Sequence, residues 1–472
     1  MNRTATVEHC VIKQPYIPID NDRLLSDLRQ LCALPTVSGQ RDELASAAQR
    51  LAAMMRQHGL HTDVVVTAGA PVVVGWRAGR SPWTLLLYHH YDVAPPGPWR
   101  AWHHDPFQLA ERDDALYGRG VAAGKGPLVA HLAAIHALLT TGNLPCSVVI
   151  VAEGEGLIGS PHLSGVVRDL HGGWRVDGCL ASGGELNADQ RPICYGGAKG
   201  LLQVRLTTVG ANQPLASGMS VSIPNPLWRL IWALNHIKSD QEEILIEGFY
   251  DAVDGPRRSD NKLLREAQLD EAGRLSAWGL ASFLFESSGV GLVRTESTLP
   301  TCNVSSLVVE PHGEVALIPV TATAQLDFQL VPHQSPHAIF DLLREHLIAK
   351  EFADIDIERL PGGYGPAATT LDDPFIQQLS KAGGEVFGTP LNRLPLGPFA
   401  QPLHLFTETL DVPVAALGCM RPDSAASGAN EHILHDDLVH HAQILMEFLT
   451  LMGNQHTNGS DHESEVGAMS GP

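Results

Sequence analysis

The 472-residue sequence has little charge and no concentration of positive charge. Charged residues make up 18% of the chain, its formal net charge is −20, and no basic patch is visible. An acidic chain of this kind repels phosphate groups, so neither nucleic acids nor anionic membranes are expected as partners. The sequence also lacks an apolar run long enough to span a bilayer and a charged-then-apolar signal segment, so no membrane association is expected.

The sequence also lacks any recognisable cysteine motif. Its seven cysteines are scattered, without a C-x-x-C pair or a regular spacing. Such cysteines are typical of reduced, mostly buried thiols, and they predict a cytoplasmic protein. No internal repeat is present, which leaves an ordinary globular architecture with 44% apolar residues and enough length for two domains.

Apolar periodicity predicts alternating helices and buried strands in the first part of the chain. The predicted helices are Leu24–Leu31, Arg41–Gln57 and Pro127–Leu139, and the predicted strands are Asp63–Val66, Val72–Trp76, Thr84–Tyr88 and Ser147–Ala152. Alternation of this kind indicates an α/β layer built on a mostly parallel sheet that is sandwiched by helices.

The pattern changes near Gly196 and changes back near Asp372. Between these points, strand-like segments of alternating polarity dominate and indicate an α+β unit. The predicted organisation is a loose N-terminal arm at 1–20, an α/β domain formed by 21–197 and 366–452, an inserted domain at 198–365, and a polar, disordered tail at 453–472.

The stretch from Leu85 to Gly126 contains the most informative residues. An apolar strand ends at His90-Tyr91-Asp92, and the strand periodicity places His90 and Asp92 on the same side. A carboxylate in this position accepts one ring N–H and leaves the other ring nitrogen free for a metal or a proton. An isolated H-x-D pair is more often a chance occurrence in a loop than part of a functional site, so the neighbouring residues decide whether this pair is functional.

The context resembles the zinc exopeptidase family of aminoacylases, succinyl-diaminopimelate desuccinylases and carnosine-type dipeptidases. The resemblance covers roughly 24–452 and rests on eight motifs. They are H-Y-D-V at 90–93, D-P-F at 105–107, Y-G-R-G at 117–120, K-G at 125–126, E-G-x-x-x-x-G-S at 153–160, R-P-x-x-x-x-G at 191–197, L-V-P at 330–332 and N-E-H at 430–432. It implies a phosphorylase/hydrolase-like α/β domain, an inserted lid and dimerisation domain, and a homodimer formed through that domain.

The resemblance also implies a two-zinc site, and this sequence departs from the family at most of its positions. The family motif G-R-G-x-x-D-x-K-G supplies an aspartate that bridges two zinc ions, and its place is taken here by Ala123. In the same register, Gly156 stands for the catalytic glutamate and Leu157 for the adjacent glutamate ligand, while Glu155 lies one residue early.

The remaining family positions also carry side chains that do not perform the family roles. Gly183 stands for an aspartate ligand, Ser427 for a histidine ligand, Ala216 for a lid histidine and Val320 for a lid arginine. His90 is the only retained metal ligand, and a zinc site needs three or four protein ligands. No zinc or other cofactor is therefore expected.

Three functions follow from this pattern as hypotheses. The first is a pseudoenzyme that binds a small amino-acid- or peptide-like ligand, or a partner protein, in the former active site. The second is a metal-independent enzyme acting on an amide or acyl amino acid. It would use the His90–Asp92 pair as a general base, with Ser427, or else Lys125 or Cys302, as the further reactive group.

The third hypothesis is a hydrolase of dipeptides or N-acyl amino acids with a relocated metal site. The ligands of such a site would come from other histidines and glutamates of the chain. The candidates are His89, His90, His103, His104, Glu155, Glu185 and His432.

Overall fold

A computed structural model describes residues 17–311, 313 and 315–466, with side chains as far as 456. Sixteen residues of the predicted N-terminal arm and the last six of the tail lie outside the described residues. The helices are α1 (Asn21–Cys32), α2 (Arg41–Gln57), α3 (Lys125–Thr140), α4 (Leu163–Gly173), α5 (Pro226–Ile237), α6 (Asp260–Glu266), α7 (Glu271–Trp278), α8 (Gly289–Thr298), α9 (Pro336–Ala349), α10 (Pro374–Phe387), α11 (Leu403–Leu410) and α12 (His435–Val466).

The strands fall into one main sheet and three smaller ones within this part of the chain. They are β1 (His61–Val65), β2 (Val72–Arg77), β3 (Ser81–His90), β4 (Ala110–Arg112), β5 (Ala115–Tyr117), β6 (Cys146–Glu153), β7 (Gly178–Ser182), β8 (Cys194–Tyr195), β9 (Gly197–Val209), β10 (Leu215–Ala216), β11 (Thr301–Glu310), β12 (Leu317–Ile318), β13 (Thr321–Leu330), β14 (Asp356–Arg359), β15 (Ala367–Ala368), β16 (Arg393–Leu394), β17 (Gly397–Ala400), β18 (Val414–Leu417) and β19 (His432–Leu434).

The main sheet has eight strands in the order β1-β2-β6-β3-β7-β18-β8-β16. Its centre, β6-β3-β7-β18, is parallel, whereas β1, β2 and β8 join antiparallel. The apolar run of β3 buries Leu85 and Leu87 on one face and Leu86 and Tyr88 on the other, because successive side chains alternate across a strand. The predicted α/β sandwich is confirmed.

The inserted domain is organised around a second, antiparallel sheet in the order β11-β13-β9-β14. Along β13, every second side chain is buried, which is the pattern of a sheet covered on one face. Helices α5 and α9 cover that face and share with it a core of buried apolar side chains. Strand β9 belongs to both parts of the molecule, since it pairs with β13 and β14 at one end and with β15 and β17 at the other.

Helices α6 to α8 do not pack on the core of the inserted domain, although the sequence assigns them to 198–365. Leu264 of α6 and Leu292 of α8 join the same core cluster as Leu86 of the main sheet. In α7, Arg274 is only 2% exposed. Periodicity in the sequence shows that a helix buries one face, but it does not show which core receives that face.

Helix α12 is longer than predicted and includes residues 453–466 of the segment that was assigned to a disordered tail. The helix continues through Gly453, which lies so close to Pro145 that a Cβ built on it would be 2.6 Å from Pro145 Cβ, so this approach requires glycine. One turn further on, His456 stacks on Trp83 with 5.9 Å between ring centroids. These contacts keep the first turn of the assigned tail on the domain.

The described cysteines, Cys32, Cys146, Cys179, Cys194, Cys302 and Cys419, are all free and buried, as predicted. No helix in the described ranges combines the length and the apolar character needed to cross a membrane.

Candidate functional site

A cavity of about 160 Å³ opens where the central parallel strands of the main sheet end. Open α/β sheets bind ligands at this edge, because the loops after neighbouring strands meet there. The loops and termini that line it are His90 at the end of β3, Gly156–Leu157 after β6, 182–184 after β7, 418–420 after β18, 122–124 before α3, and the segment 399–402. This volume is well above the roughly 10–15 Å³ that one water requires.

His90 is the principal titratable group in the cavity wall. Its Nδ1 lies 2.9 Å from the backbone carbonyl oxygen of Asp92 and 3.2 Å from Asp92 Oδ1. Both partners are acceptors, so Nδ1 carries the hydrogen and Nε2 remains for a ligand. Burial works to lower the pKa of His90, but the hydrogen bond and the charge of Asp92 outweigh it and raise this pKa above its ordinary value.

Asp92 is fully buried, and its two carboxylate oxygens are already satisfied. Ser38 Oγ donates to Oδ2 at 2.7 Å, and the backbone N–H groups of Gly156 and Leu157 donate to Oδ1 and Oδ2 at 3.1 Å each. These bonds and the one from His90 keep the pKa of Asp92 low, although its burial alone would raise it. The loop after β6 is therefore held against Asp92 by its own backbone.

Glu153 lies at the end of β6 and is also buried, next to the cavity. Its Oε1 accepts hydrogen bonds from the hydroxyl of Tyr88 and, at 2.7 Å, from Ser160 Oγ. Burial raises the pKa of Glu153 to about 7. This carboxyl is positioned to brace Tyr88, which does line the cavity.

The structure brings together most of the positions at which the sequence departs from the family. Ala123, Gly156, Leu157 and Gly183 all line the cavity with His90. Ser427, an exposed residue with φ of +63°, lies with His90 and Asp92 in an adjoining cavity of about 10 Å³. None of the hydrogen bonds among the described residues joins Ser427 to His90, so a Ser427–His90–Asp92 triad is not formed in this structure.

Other side chains lie close to Gly156, which stands for the family's catalytic glutamate, and to Gly183, which stands for an aspartate ligand. A Cβ built at Gly156 would lie 2.6 Å from His90 Cβ, and one built at Gly183 would lie 2.8 Å from Gln401 Nε2 and 3.1 Å from Phe399 Cε2. Carbon atoms in contact are normally separated by about 3.5–4.0 Å. Both positions are thus closed to any side chain unless their neighbours move.

The two lid positions lie outside this cavity. Ala216 is exposed in the short strand β10, where it pairs with Leu317 of β12. Val320 precedes β13, and its backbone bonds to Glu310 and Gly210. Neither residue lines the cavity.

Lys125 and Cys302 also lie outside the cavity lining, so the structure does not support them as reactive groups in it. Lys125 is buried, and its Nζ donates to the backbone oxygen of Leu34 at 2.7 Å. Cys302 lies in β11 of the inserted domain, where burial raises the pKa of its thiol to about 12. The sequence alone could not separate these buried structural residues from site residues.

The candidates for a relocated metal site are dispersed, and each has a different partner. Glu155 bonds His162 at 2.7 Å, Glu185 bonds Arg274 at 2.9 Å, and His432 stacks on Tyr117. His103 bonds Asn430 through its backbone N–H, and His104 packs edge-on against Trp102.

His89 belongs to a buried histidine cluster with His131 and His441. It precedes His90 in β3, so its side chain points to the opposite face of the main sheet. The His89 Nε2 and His131 Nδ1 atoms are 3.0 Å apart, and the His131 and His441 rings stack at 4.6 Å. Burial lowers the pKa of His89 to about 3 and that of His441 to about 4. These rings pack against each other as neutral groups.

Within the described residues, no group of three or more His, Cys, Asp or Glu side chains is arranged to hold a metal ion. Around the cavity, the donor side chains are those of His90 and Cys419, and Asp92 is already bonded on both oxygens. Two zinc ions need several imidazole and carboxylate ligands converging from different elements. The donor set of this cavity does not fit a two-zinc centre.

Two polar residues of the cavity wall belong to no motif and are not predicted from the sequence. Gln401 and Ser182 line the cavity, together with the aromatic rings of Tyr364 and Phe399. Gln401 lies between an apolar strand and Pro402 at the start of α11, where a glutamine has no evident structural role.

The comparisons with known proteins place the fold in a known group. The chain resembles a metallo-carboxypeptidase of Sulfolobus solfataricus with a TM-score of 0.85 and 29% identity over 92% of this chain and 99% of that one. It resembles human carnosine dipeptidase 1 with a TM-score of 0.81 and 22% identity, over 93% and 98% of the two chains.

Curated relatives show the same relationship in sequence. The human Beta-Ala-His dipeptidase is 23% identical over 93% of this chain and 92% of its own length. A probable di- and tripeptidase of Saccharomyces cerevisiae, DUG2, is 25% identical over 74% of this chain, which spans 41% of that longer protein. The family model described as peptidase family M20/M25/M40 matches residues 86–451. The chain therefore belongs to the M20/M25/M40 family of zinc exopeptidases.

Proposed function

We propose that this protein is a member of the family without a two-zinc centre, which binds a small amino-acid- or peptide-like ligand in the His90 cavity without cleaving it. The observation that carries this proposal is the closure of Gly156 and Gly183 by neighbouring side chains. Here neighbouring side chains also lie where the Cβ atoms of the family residues would be, with His90 against Gly156 and with Gln401 and Phe399 against Gly183, while the cavity between them remains open to a ligand.

The ligand class is proposed from the size of the cavity and from the relatives. Two of the relatives are named for the dipeptides Beta-Ala-His and Cys-Gly. A cavity of about 160 Å³ at the end of the parallel strands suits a compact molecule of that kind. We also propose that the protein is cytoplasmic, and its free, buried cysteines support this location.

The test combines metal analysis with turnover. Purified protein is incubated with excess zinc, desalted and analysed for metal, and is then assayed against a panel of dipeptides and N-acyl amino acids. We expect much less than one zinc per chain and no zinc-dependent cleavage, with a zinc-loaded dipeptidase of the family as the positive control. Two tightly held zinc ions per chain together with amide cleavage would overturn the proposal.

We also propose a homodimer formed through the inserted domain. Strand β11 is an edge of its sheet and exposes Val304, Leu307 and Val308. On α5, Trp228 and Trp232 are each 55% exposed and stack on each other. Exposed apolar edges and paired surface tryptophans are typical of surfaces that bind another protein.

A second candidate function is metal-independent hydrolysis by the His90–Asp92 pair. The bond from Nδ1 to Asp92 leaves Nε2 available as a base, which is the arrangement used by acyl-transfer enzymes. If the pair is catalytic, turnover of an amide or acyl amino acid in the presence of a chelator should disappear in His90→Gln. Turnover that persists in this variant would exclude His90 as the base.

A further inference from the structure

A second and larger cavity, of about 460 Å³, lies where the inserted segment meets the α/β domain. One part of its wall comes from 254–257, Asp260, 297–298 and 331–333, and the other part comes from 368–371 and 395–396 of the α/β domain. The residues that line it and the residues that line the His90 cavity are entirely different. The two cavities are therefore separate sites.

Asp260, the first residue of α6, lines this cavity with a carboxylate that has no positive partner among the described residues. The residue is 9% exposed. Ser259 Oγ donates to Oδ1 at 3.1 Å, whereas no described residue bonds Oδ2, which remains in contact with solvent. A largely buried carboxylate loses hydration, and a positive group that enters the cavity would compensate for this loss.

The same cavity contains a guanidinium group that is also unpaired. Arg257 is exposed, and its side chain forms neither a hydrogen bond nor an ion pair with another described residue, Asp260 included. The hydrogen bond from Thr370 is the main reason for the low pKa of Asp372, and Arg257 adds only a long-range attraction to that carboxylate. The guanidinium is therefore free to bind an anionic group.

The rest of the lining adds no further free charge. Asp254 and His333 are paired with each other, with 3.4 Å between Oδ2 and Nε2, and both are exposed. Apolar side chains of the lining are those of Val331, Leu371 and Leu396. The cavity thus offers one free carboxylate, one free guanidinium and an apolar surface.

We propose that this cavity is a second ligand site, which binds a zwitterion of the size of a dipeptide with its ammonium group on Asp260 and its carboxylate on Arg257. Hydrogen bonds between ionised groups are the strong ones, and a guanidinium can bind a carboxylate through two of them. A molecule with only one charge would leave one of the two side chains unpaired. This site goes beyond the proposed function, which concerns the His90 cavity, and does not depend on it.

The test uses leucyl-leucine, with EDTA present so that metal-dependent cleavage cannot remove the peptide. Titration calorimetry compares this peptide with leucyl-leucinamide, which lacks the carboxylate, and with N-acetyl-leucyl-leucine, which lacks the ammonium group. On the full-length protein, each change should weaken binding by about ten-fold or more, the effect of losing one charge-assisted contact.

Two substitutions assign each end of the peptide to its partner. Arg257→Gln should weaken leucyl-leucine by about ten-fold or more and leave the affinity for leucyl-leucinamide unchanged, because the amide has no carboxylate to lose. Asp260→Asn keeps the acceptor for Ser259 and should weaken leucyl-leucine but not N-acetyl-leucyl-leucine. The matched control is Arg258→Gln, since Arg258 is exposed and does not line the cavity.

The other outcomes would overturn the proposal. If leucyl-leucine binds Arg257→Gln and Asp260→Asn as tightly as the parent protein, it occupies another site. A carboxylate in the first turn of a helix also favours the helix, so an Asp260→Asn variant that is only less stable would show that this charge serves α6. If that variant does not fold, Arg257→Gln, at an exposed position, still decides the question.

Absence of leucyl-leucine binding to the parent protein at millimolar concentration would refute the second site as well. None of these results bears on the proposed function, which the metal and turnover assays test separately.

Discussion

Replacing Gly156 by alanine should destabilise the protein, because the added methyl group would collide with His90. Gly156 stands at the position of the family's catalytic glutamate. The new Cβ would lie 2.6 Å from His90 Cβ, 3.0 Å from His90 Cγ and 3.4 Å from Asp92 Oδ1. The carbon–carbon contact is about 1 Å shorter than a normal one of roughly 3.5–4.0 Å. Overpacking of this degree costs about 1–3 kcal/mol.

Part of this cost is offset in the unfolded chain, since alanine has less backbone freedom there than glycine by about 0.4–1 kcal/mol. A net loss of about 1–2 kcal/mol is therefore expected in the free energy of unfolding. The matched control is Gly172→Ala in α4, where no atom lies within 4 Å of the built Cβ. Helix propensity alone should stabilise that variant by about 0.5–1 kcal/mol.

Urea unfolding followed by tryptophan fluorescence measures both variants against the parent protein. The two substitutions should move the midpoint in opposite directions. If Gly156→Ala is as stable as Gly172→Ala, the loop does not press against His90, and the closure of the former site described above is incorrect.

Three further predictions concern other parts of the molecule. Burial lowers the pKa of His441 to about 4, so protonation in the unfolded chain, at a pKa near 6.5, should remove stability as the pH falls below 6.5. This residue should account for about 2 kcal/mol at pH 5, and urea unfolding of His441→Leu should show a correspondingly weaker pH dependence. Arg119 and Glu431 form a buried ion pair at 2.8 Å, so removing either partner should cost about 3–5 kcal/mol, and a double-mutant cycle should find the double variant less destabilised than the sum. Changing Trp228 and Trp232 to glutamate should convert the proposed dimer to a monomer in light scattering, and an unchanged mass would exclude this face from the interface.

The sequence was sufficient for the elements with a strong apolar period and for the location of the site. Helix α2 begins and ends at the predicted residues, Arg41 and Gln57, because one apolar stripe runs its length and Gly59 follows its end. Motif spacing placed Ala123 and Gly183 at one site, and the structure finds both in the wall of one cavity. Several motifs carry such information because they stand at the end of a strand, as at His90 and Glu153, or at the start of a helix, as at Lys125.

The occupants of the former ligand positions could not be found in this way. Gln401 reaches Gly183 from a segment more than two hundred residues away, and no local pattern encodes that contact. The partner of Lys125 is likewise not predictable from its motif, because its Nζ donates to the backbone oxygen of Leu34, which lies far away in the sequence. Contacts between distant segments depend on the final packing of the domains, which periodicity does not describe.

The Arg274 guanidinium connects the segment α6 to α8 with the α/β domain through two ion pairs. It bonds Glu185 of the α/β domain at 2.9 Å and Glu296 of α8 at 2.8 Å, within an apolar cluster common to both. Opening this contact would leave buried charges unpaired and expose the apolar faces of α6 and α8. Excision of residues 198–365 would therefore also remove apolar side chains of α6 and α8 that complete the core of the α/β domain.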